Sequence, residues 1–377
     1  MAKYFLIAGE ASGDIHAAAL IKQIQARDPK ASFSGLGGSQ MAAAECRLYQ
    51  DYTRMAFMGF AAVLANIGQI RRNFRIAKQA LLYEQPDVLI LVDYPSFNLR
   101  MAAFCRKHLP NTRIVYFIPP KVWAWKRRRI HRLARLCDDI LAIFPFEPDF
   151  YARYGYRCTY VGNPTAEFLQ SEGRSNSVSG LTGEAGLTAQ RSILALLPGS
   201  RESEIRHCLP RMLEAARRFP DYRLVICAAP GIDDAFYAPY LRSNETLTRE
   251  TYETLRQAKA AVVNSGTATL ETALLLCPQV AVYHLALSPL IALIRWAQPL
   301  VFSLRHFTLV NIIAGKQVIR ELLANDFTVA NLTAELQRLL SDETYTKKML
   351  AEYEHLASLL GTRPAAATAA EIITTRP

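Results

Sequence analysis

Apolar and polar positions in the first half of the chain alternate between two patterns. Apolar runs at residues 4–8, 87–92, 113–117 and 139–143 have the length of buried strands. Between them, residues 15–27, 69–84, 98–109 and 123–136 carry apolar side chains at helical spacing. The second half repeats the alternation, with strand-like runs at 192–197, 223–228, around Val262 and Val263, and at 278–283. No repeat of fixed period accompanies it. Strands alternating with helices predict an α/β chain whose parallel sheets are covered on both faces. Ligands of such sheets bind beyond the carboxyl ends of the strands, so the residues just after each run matter most.

A chain of 377 residues is too long for one ordinary core, and about two domains are expected. Residues 171–190, poor in aromatics and rich in Ser, Gly, Thr and Glu, read as a linker or surface insertion. They separate a domain of residues 1–170 from one of residues 191–349, and from about Ala330 the chain is helical and charged.

Composition, at 51% hydrophobic and 20% charged, is that of a soluble globular protein. The net charge of +11 and a pI near 9.3 point to anionic partners: phosphates, nucleic acid or an acidic membrane surface. No nucleic acid is expected, because no basic face is interleaved with aromatics and the strand tips are acidic. The seven cysteines are scattered and form no C-x-x-C pair, which suits free thiols in a reducing compartment and argues against disulfides or a zinc site. The apolar run at 4–8 reads as a first strand and not a signal peptide. The apolar segment 280–304 is broken by Pro289, Arg295, Gln298 and Pro299, leaving no uninterrupted span of ~20 residues for a transmembrane helix.

The pivotal stretch is residues 261–271. Asn264, Ser265 and Gly266 make a turn after a strand, and a helix starts near Thr267, capped by Ser265 or Thr267. Unpaired N–H groups and the helix dipole at such a joint favour a diphosphate. Glu271, one turn on, can reach the hydroxyls of a ribose. An ordinary capped helix is the alternative. After the run at 192–197, residues 198–204 form another Gly-Ser turn, with Ser200 and Arg201 placed to meet an anion. Asn311 and Gln317 are further candidate polar contacts.

In the first half, Gly9 and Gly13 let the backbone approach a ligand, Ser12 or Asp14 can cap the next helix, Glu10 stands at the strand tip, and His16 sits just inside the helix. This is not G-x-G-x-x-G, so a nicotinamide site is disfavoured. Asp93 ends an apolar strand, a costly place for a carboxylate that is neither used nor hydrogen-bonded. Lys121, Trp123, Trp125 and Arg127 belong to a stretch with five basic residues that suits a phosphorylated, greasy molecule; a helix with a solvated basic face is the alternative. Residues 55–64, with Met58 and Phe60, precede Arg71, Arg72, Arg75 and Lys78. Apolar surface beside positive charge suits a membrane-surface element, with a buried helix as its rival.

Taken in order, these motifs resemble the lipid-A-disaccharide synthase family. The matching segments are GEASGD at 9–14, MGF at 58–60, VDYPSFN at 92–98, VWAW at 122–125, GNP at 162–164, LPGSRESEI at 197–205, SGTATLE at 265–271 and NIIAGKQVIRELL from Asn311. The resemblance implies a GT-B fold: two Rossmann-like, doubly wound parallel-sheet domains facing across a cleft, with a C-terminal helix at about 350–377 packing back on the first.

It also implies an inverting glycosyltransferase. The donor is UDP-2,3-diacylglucosamine and the acceptor 2,3-diacylglucosamine 1-phosphate, giving the β-1,6-linked disaccharide phosphate and UDP. Asp93 is favoured as the base, with Glu10 as the alternative base or a binder of sugar hydroxyls. Ser200, Arg201, Ser265, Gly266, Thr267, Glu271, Asn311 and Gln317 fall to the donor. Ser12, Asp14, His16, Met58, Phe60, Lys121, Trp123, Trp125 and Arg127 fall to the acceptor and its acyl chains. No cofactor and no metal are called for. Peripheral attachment to an anionic membrane surface, at the cytoplasmic face, follows as an expectation; a homodimer is among the states left open.

The chain departs from the family pattern where a serine is common (Lys121), a histidine (Asn163), an acidic residue (Ser96) and an arginine (His284). Rival readings are a UDP-N-acetylglucosamine 2-epimerase or a lipid II glycosyltransferase of the same fold, or a non-enzymatic nucleotide-sugar or lipid-binding module.

Overall fold

The computed structural model describes residues 2–52, 67–124, 127–176, 193–284 and 306–375. The chain divides into two compact units, Met1–Glu167 with Thr362–Pro377, and Phe168–Gly361.

Among the described residues the first unit holds a parallel sheet of seven strands in the order β3-β2-β1-β4-β5-β6-β7. The strands are β1 (Lys3–Ala8), β2 (Ser32–Gly37), β3 (Arg47–Asp51), β4 (Val88–Val92), β5 (Arg113–Phe117), β6 (Asp139–Ala142) and β7 (Thr159–Tyr160). Helices α1 (Ala11–Arg27), α2 (Ser39–Ala43), α3 (Ile67–Glu84), α4 (Pro95–His108), α5 (Arg129–Leu136), α6 (Glu147–Ala152) and α7 (Pro164–Asn176) connect or follow them. The central strands are continuous apolar runs because both faces are covered. The two-residue period sends Leu6, Ala8, Ile90 and Val92 into one core with Leu20, Ile21 and Ile24 of α1. Phe5, Ile7, Leu89 and Leu91 enter the opposite core with Ala77 and Leu81 of α3 and Met101 and Cys105 of α4.

The second unit is built alike, with the order β10-β9-β8-β11-β12-β13. Its strands are β8 (Ile193–Leu197), β9 (Arg223–Cys227), β10 (Thr246–Thr248), β11 (Ala258–Asn264), β12 (Gln279–Tyr283) and β13 (Glu321–Leu323). Its helices are α8 (Glu202–Ala216), α9 (Asp234–Tyr237), α10 (Thr251–Gln257), α11 (Thr267–Leu274), α12 (Leu309–Ala314), α13 (Val329–Ser341) and α14 (Glu343–Leu360). A last helix, α15 (Ala365–Thr375), belongs to the first unit, where Ala369, Ala370 and Ile373 join the α1 core. Arg113, paired with Asp139, ties down its end by donating to the carbonyls of Ile373 (2.8 Å) and Ile372 (3.2 Å).

Each sheet reverses its winding once. In the first the chain runs β1, β2, β3 outward and then restarts at β4 on the other side of β1; in the second it restarts at β11 beside β8. The crevices beyond the β1/β4 and β8/β11 ends are thus the topological switch points, where ligands of open α/β sheets bind.

Three boundaries differ from the sequence reading. The returning segment starts at Thr362 and not near 350, because α14 stays in the second unit through buried Met349, Tyr353, Leu356 and Leu360. Helix α7 runs to Asn176, inside the expected linker, whose remainder lies outside the described residues. Helix α5 starts at Arg129, because the chain turns at Lys121–Ala124 before it. No helix of the described residues is long and apolar enough to cross a membrane. The segment 285–304 lies outside them, as do Met58, Phe60 and Trp125.

Candidate functional site

In the second unit, a cavity of about 920 Å³ opens at the β8/β11 switch point. It is lined by Gly199, Ser200 and Arg201 after β8 and by Ser265, Gly266, Thr267 and Glu271 after β11. The two turns are pressed together. Gly199 has φ +121, a left-handed conformation that favours glycine. A Cβ there would stand 2.6 Å from Glu204 Oε2 and 2.7 Å from Asn264 Nδ2.

Two local expectations are corrected here. Gly266, in extended conformation, occupies the N-cap of α11, and neither Ser265 nor Thr267 caps the helix; the Ser265 N–H instead extends the sheet by donating to Val282 O at 2.8 Å. The amide after Gly199 is not an open nest. Ser200 N donates to Glu204 Oε2 at 3.0 Å, and Arg201 Nη1 lies 3.3 Å from Glu204 Oε1. The protein's own carboxylate thus holds groups suited to an anion. Arg201 remains exposed at the cavity wall. Burial raises the Glu271 carboxyl above its ordinary range.

Asn311 is not a ligand contact. It is wholly buried, its Nδ2 donating to Ile319 O and Glu321 Oε1 (both 2.9 Å) and its Oδ1 accepting from the amides of Val318 (2.7 Å) and Ile319 (3.0 Å). All its polar capacity goes into closing the chain between α12 and β13. Gln317 is exposed and lines a separate cavity of about 360 Å³ with Arg338 and Glu352. The residues after β10 went unread: Arg249, Tyr252 and Arg256 line the large cavity, but a three-residue strand carries too little pattern to announce them. His284, where an arginine was expected, accepts from Arg211 Nη1 at 3.1 Å and stacks on His207, so α8 delivers a guanidinium to that strand end.

In the first unit, Glu10 follows β1 and Asp93 follows β4, on adjacent strands at the β1/β4 switch point. Asp93 and Tyr94 both have left-handed backbones, at φ 46 and φ 44, a strained joint that its surroundings must enforce. Asn98 Nδ2 donates to Asp93 O at 2.7 Å and Tyr116 Oη to the same oxygen at 2.6 Å. The Tyr94 ring lies over Gly9, where a Cβ would meet it at 2.2 Å. The Asp93 carboxyl is half-buried; burial raises it, opposed by the Lys121 ammonium and the Tyr94 N–H.

Two first-unit expectations give way, and one departure from the family pattern is explained. Asp14 does not face a ligand: it is buried, and its carboxylate accepts from the amides of Gly38 (2.7 Å), Gln40 (3.0 Å) and Met41 (3.1 Å), pinning α2 to α1. Trp123 is 4% exposed, donates to Glu147 Oε1 at 3.0 Å and meets Phe144 and Phe146 edge to face, leaving no surface for an acyl chain. Asn163 caps α7, accepting from Ala166 N at 3.0 Å. Ser12, Lys121, Arg127 and Ser96 are exposed, and His16 is half-buried, its imidazole held below its ordinary pKa by burial.

Two doubly wound parallel sheets, each with polar groups gathered at its switch point, have the GT-B glycosyltransferase fold. UDP-GlcNAc 2-epimerase from Neisseria meningitidis aligns over 99% of this chain and 98% of its own, with TM-score 0.65 and 12% identity. The calicheamicin glycosyltransferase CalG4 aligns over 100% and 98%, with TM-score 0.57 and 15% identity. At these identities the likeness speaks for the fold. Sequence speaks for the family: the model of lipid-A-disaccharide synthetase matches residues 4–373. The lipid-A-disaccharide synthases of Trichlorobacter lovleyi, Geobacter sulfurreducens and Myxococcus xanthus are 38%, 35% and 35% identical over 95%, 96% and 98% of the chain and 93%, 93% and 96% of their own lengths. The chain belongs to the lipid-A-disaccharide synthetase family, and so to the enzymes that transfer glycosyl groups from UDP-sugars.

Proposed function

We propose that this enzyme transfers 2,3-diacylglucosamine from UDP to the 6-hydroxyl of 2,3-diacylglucosamine 1-phosphate, with inversion, giving the β-1,6-linked disaccharide 1-phosphate. The observation carrying the proposal is the chemistry at the two switch points: a strained strand tip bearing Asp93 in one unit, and paired Gly-Ser turns with Arg201 in the other.

Asp93 accepts the proton of the acceptor 6-hydroxyl as its oxygen attacks the anomeric carbon. The bond from that carbon to the β-phosphate oxygen breaks, and its electron pair leaves with UDP. Arg201 and the amides at Gly266 and Thr267 are placed to meet the charge that develops on the leaving diphosphate. Glu271 suits the ribose hydroxyls, and Glu10, on the strand beside Asp93, suits sugar hydroxyls. The exposed Arg71, Arg72, Arg75 and Lys78 of α3 suit the acceptor phosphate or anionic headgroups, making the protein peripheral to a membrane surface.

Supplying both diacylated sugars tests the reading: UDP and a disaccharide phosphate are expected in equal amounts. Asp93→Ala is expected to lose turnover while keeping UDP affinity, and Arg201→Ala to lose both. Epimerisation of UDP-N-acetylglucosamine without any acceptor would favour the rival enzyme class.

A further inference from the structure

The steps above give no work to Glu147, which starts α6 and is 1% exposed. A buried carboxyl is costly unless its oxygens are used, and both are. Oε1 accepts from Trp123 Nε1 at 3.0 Å, and Oε2 accepts from the Phe144 amide at 3.0 Å. One side chain thereby ties the turn beyond β5 to the segment beyond β6. Tyr151, Cys158 and Tyr160 also feel its charge, but burial raises all three and keeps them neutral.

Lys121 is held through both of those points. It belongs to the turn that carries Trp123, where Val122 N donates to Pro120 O at 2.6 Å and Ala124 N to Lys121 O at 3.0 Å. Its ammonium lies 5.9 Å from the centre of the Phe144 ring, a cation–π distance, and the Trp123 ring meets Phe144 edge to face. Glu147 thus fixes the backbone on either side of Lys121: the turn it stands on and the ring its ammonium rests over. Strand β5 pairs with β4 as far as Val92 and Phe117, and Asp93 N donates to Phe117 O at 3.3 Å, so this turn leaves the sheet beside the tip that bears Asp93. Burial raises the Asp93 carboxyl, and the Lys121 charge opposes the rise.

We propose that Glu147 is a positioning residue for the reaction: by fixing Trp123 and Phe144 it keeps the Lys121 ammonium where its charge acts on Asp93. This rests on the reading of Asp93 as the base. The test uses the full chain and both diacylated sugars, and follows kcat/KM for the acceptor against pH. Lys121→Met is expected to raise the midpoint of the acid limb by about half a unit, or about threefold in kcat/KM well below it. Trp123→Phe keeps the ring and removes the N–H that Glu147 holds; it is expected to raise the midpoint by less, and to add nothing in the Lys121→Met background. Glu147→Gln is expected to behave as Trp123→Phe does and serves if that variant fails to fold. Glu147 carries its proton below about 7, so on the acid limb this exchange alters hydrogen bonding and not charge. Wild-type midpoints in Trp123→Phe and Glu147→Gln, with Lys121→Met shifted, would overturn the inference and leave Glu147 a structural pin. A shift that persists without Lys121 would overturn it as well. So would an unmoved midpoint in Lys121→Met, and a raised acceptor KM there would make Lys121 a phosphate contact. Full turnover in Asp93→Ala would overturn the base reading itself, and the inference with it.

Discussion

Replacing Asn311 by leucine keeps the branched outline and the number of heavy atoms and strips every polar atom from a wholly buried side chain. The Val318 and Ile319 amides lose the oxygen they share, at 2.7 and 3.0 Å, and the Ile319 carbonyl loses its 2.9 Å donor. Glu321 is less affected, because its carboxylate still accepts from the Phe307 and Thr308 amides and from Thr308 Oγ1. Each buried N–H left without a partner costs about 1–3 kcal/mol, and leucine returns about 1 kcal/mol in apolar burial. The two stranded amides less that return make a net loss of about 1–5 kcal/mol, against the ~5–15 kcal/mol that holds a domain folded. Urea unfolding followed by circular dichroism measures the loss, and UDP titration of the folded variant measures binding. UDP affinity is expected to stay within about twofold, because the side chain is spent on the α12–β13 connection and does not line the cavity. A variant of wild-type stability whose UDP affinity fell tenfold would refute this and return Asn311 to the ligand.

Asp93→Asn is expected to lower kcat by about 10²–10⁴-fold. Because burial raises the Asp93 carboxyl and the base works ionised, the acid limb of the wild-type kcat/KM profile is expected to have its midpoint above the ordinary 3.8, and a midpoint at or below it would count against Asp93 as the base. Buried Glu147, pushed up to about 7 from its ordinary 4.5, binds its proton more tightly folded than unfolded. Its contribution is fully present below 4.5 and is lost as pH rises through about 7, by up to about 3 kcal/mol; denaturation at a series of pH values reads this slope, and Glu147→Gln is expected to flatten it. Gly199→Ala forces a Cβ to within 2.6 Å of Glu204 Oε2 at a backbone of φ +121. A cost of about 1–3 kcal/mol in stability and weaker UDP binding are expected, read by melting and titration.

What the sequence made legible followed from burial. Strands covered on both faces must be apolar without a break, so β1, β4, β5, β8 and β11 stood out, and their ends marked where chemistry belonged. The strands β3, β10 and β13 stayed hidden because they are short and lie at or near sheet edges with partly exposed side chains. Strand β2, SFSGLG, hides because a sheet position can be filled by glycine: a Cβ at Gly35 would stand 2.0 Å from Leu6 O.

The candidate site divides along a different line. Asp14, Trp123, Asn163, Glu204 and Asn311 all sit inside the motifs that suggested ligand contacts, and all five spend their polar atoms on other parts of the protein. Asp14 does so on amides 24 to 27 residues away, a distance over which local pattern carries no information. A motif therefore mixes residues that meet the ligand with residues that shape the loop around it, and hydrogen-bond satisfaction separates the two. On the proposal that Asp93 is the base, its surroundings differ from those of the five. Its carbonyl is held by Asn98 and Tyr116, while its half-buried carboxyl is opposed by burial and supported by the Tyr94 amide and the charge of Lys121. For the proposed proton acceptor, a backbone so firmly anchored would hold the carboxyl in place for the substrate, and the Lys121 charge and Tyr94 amide would keep it ionised against burial.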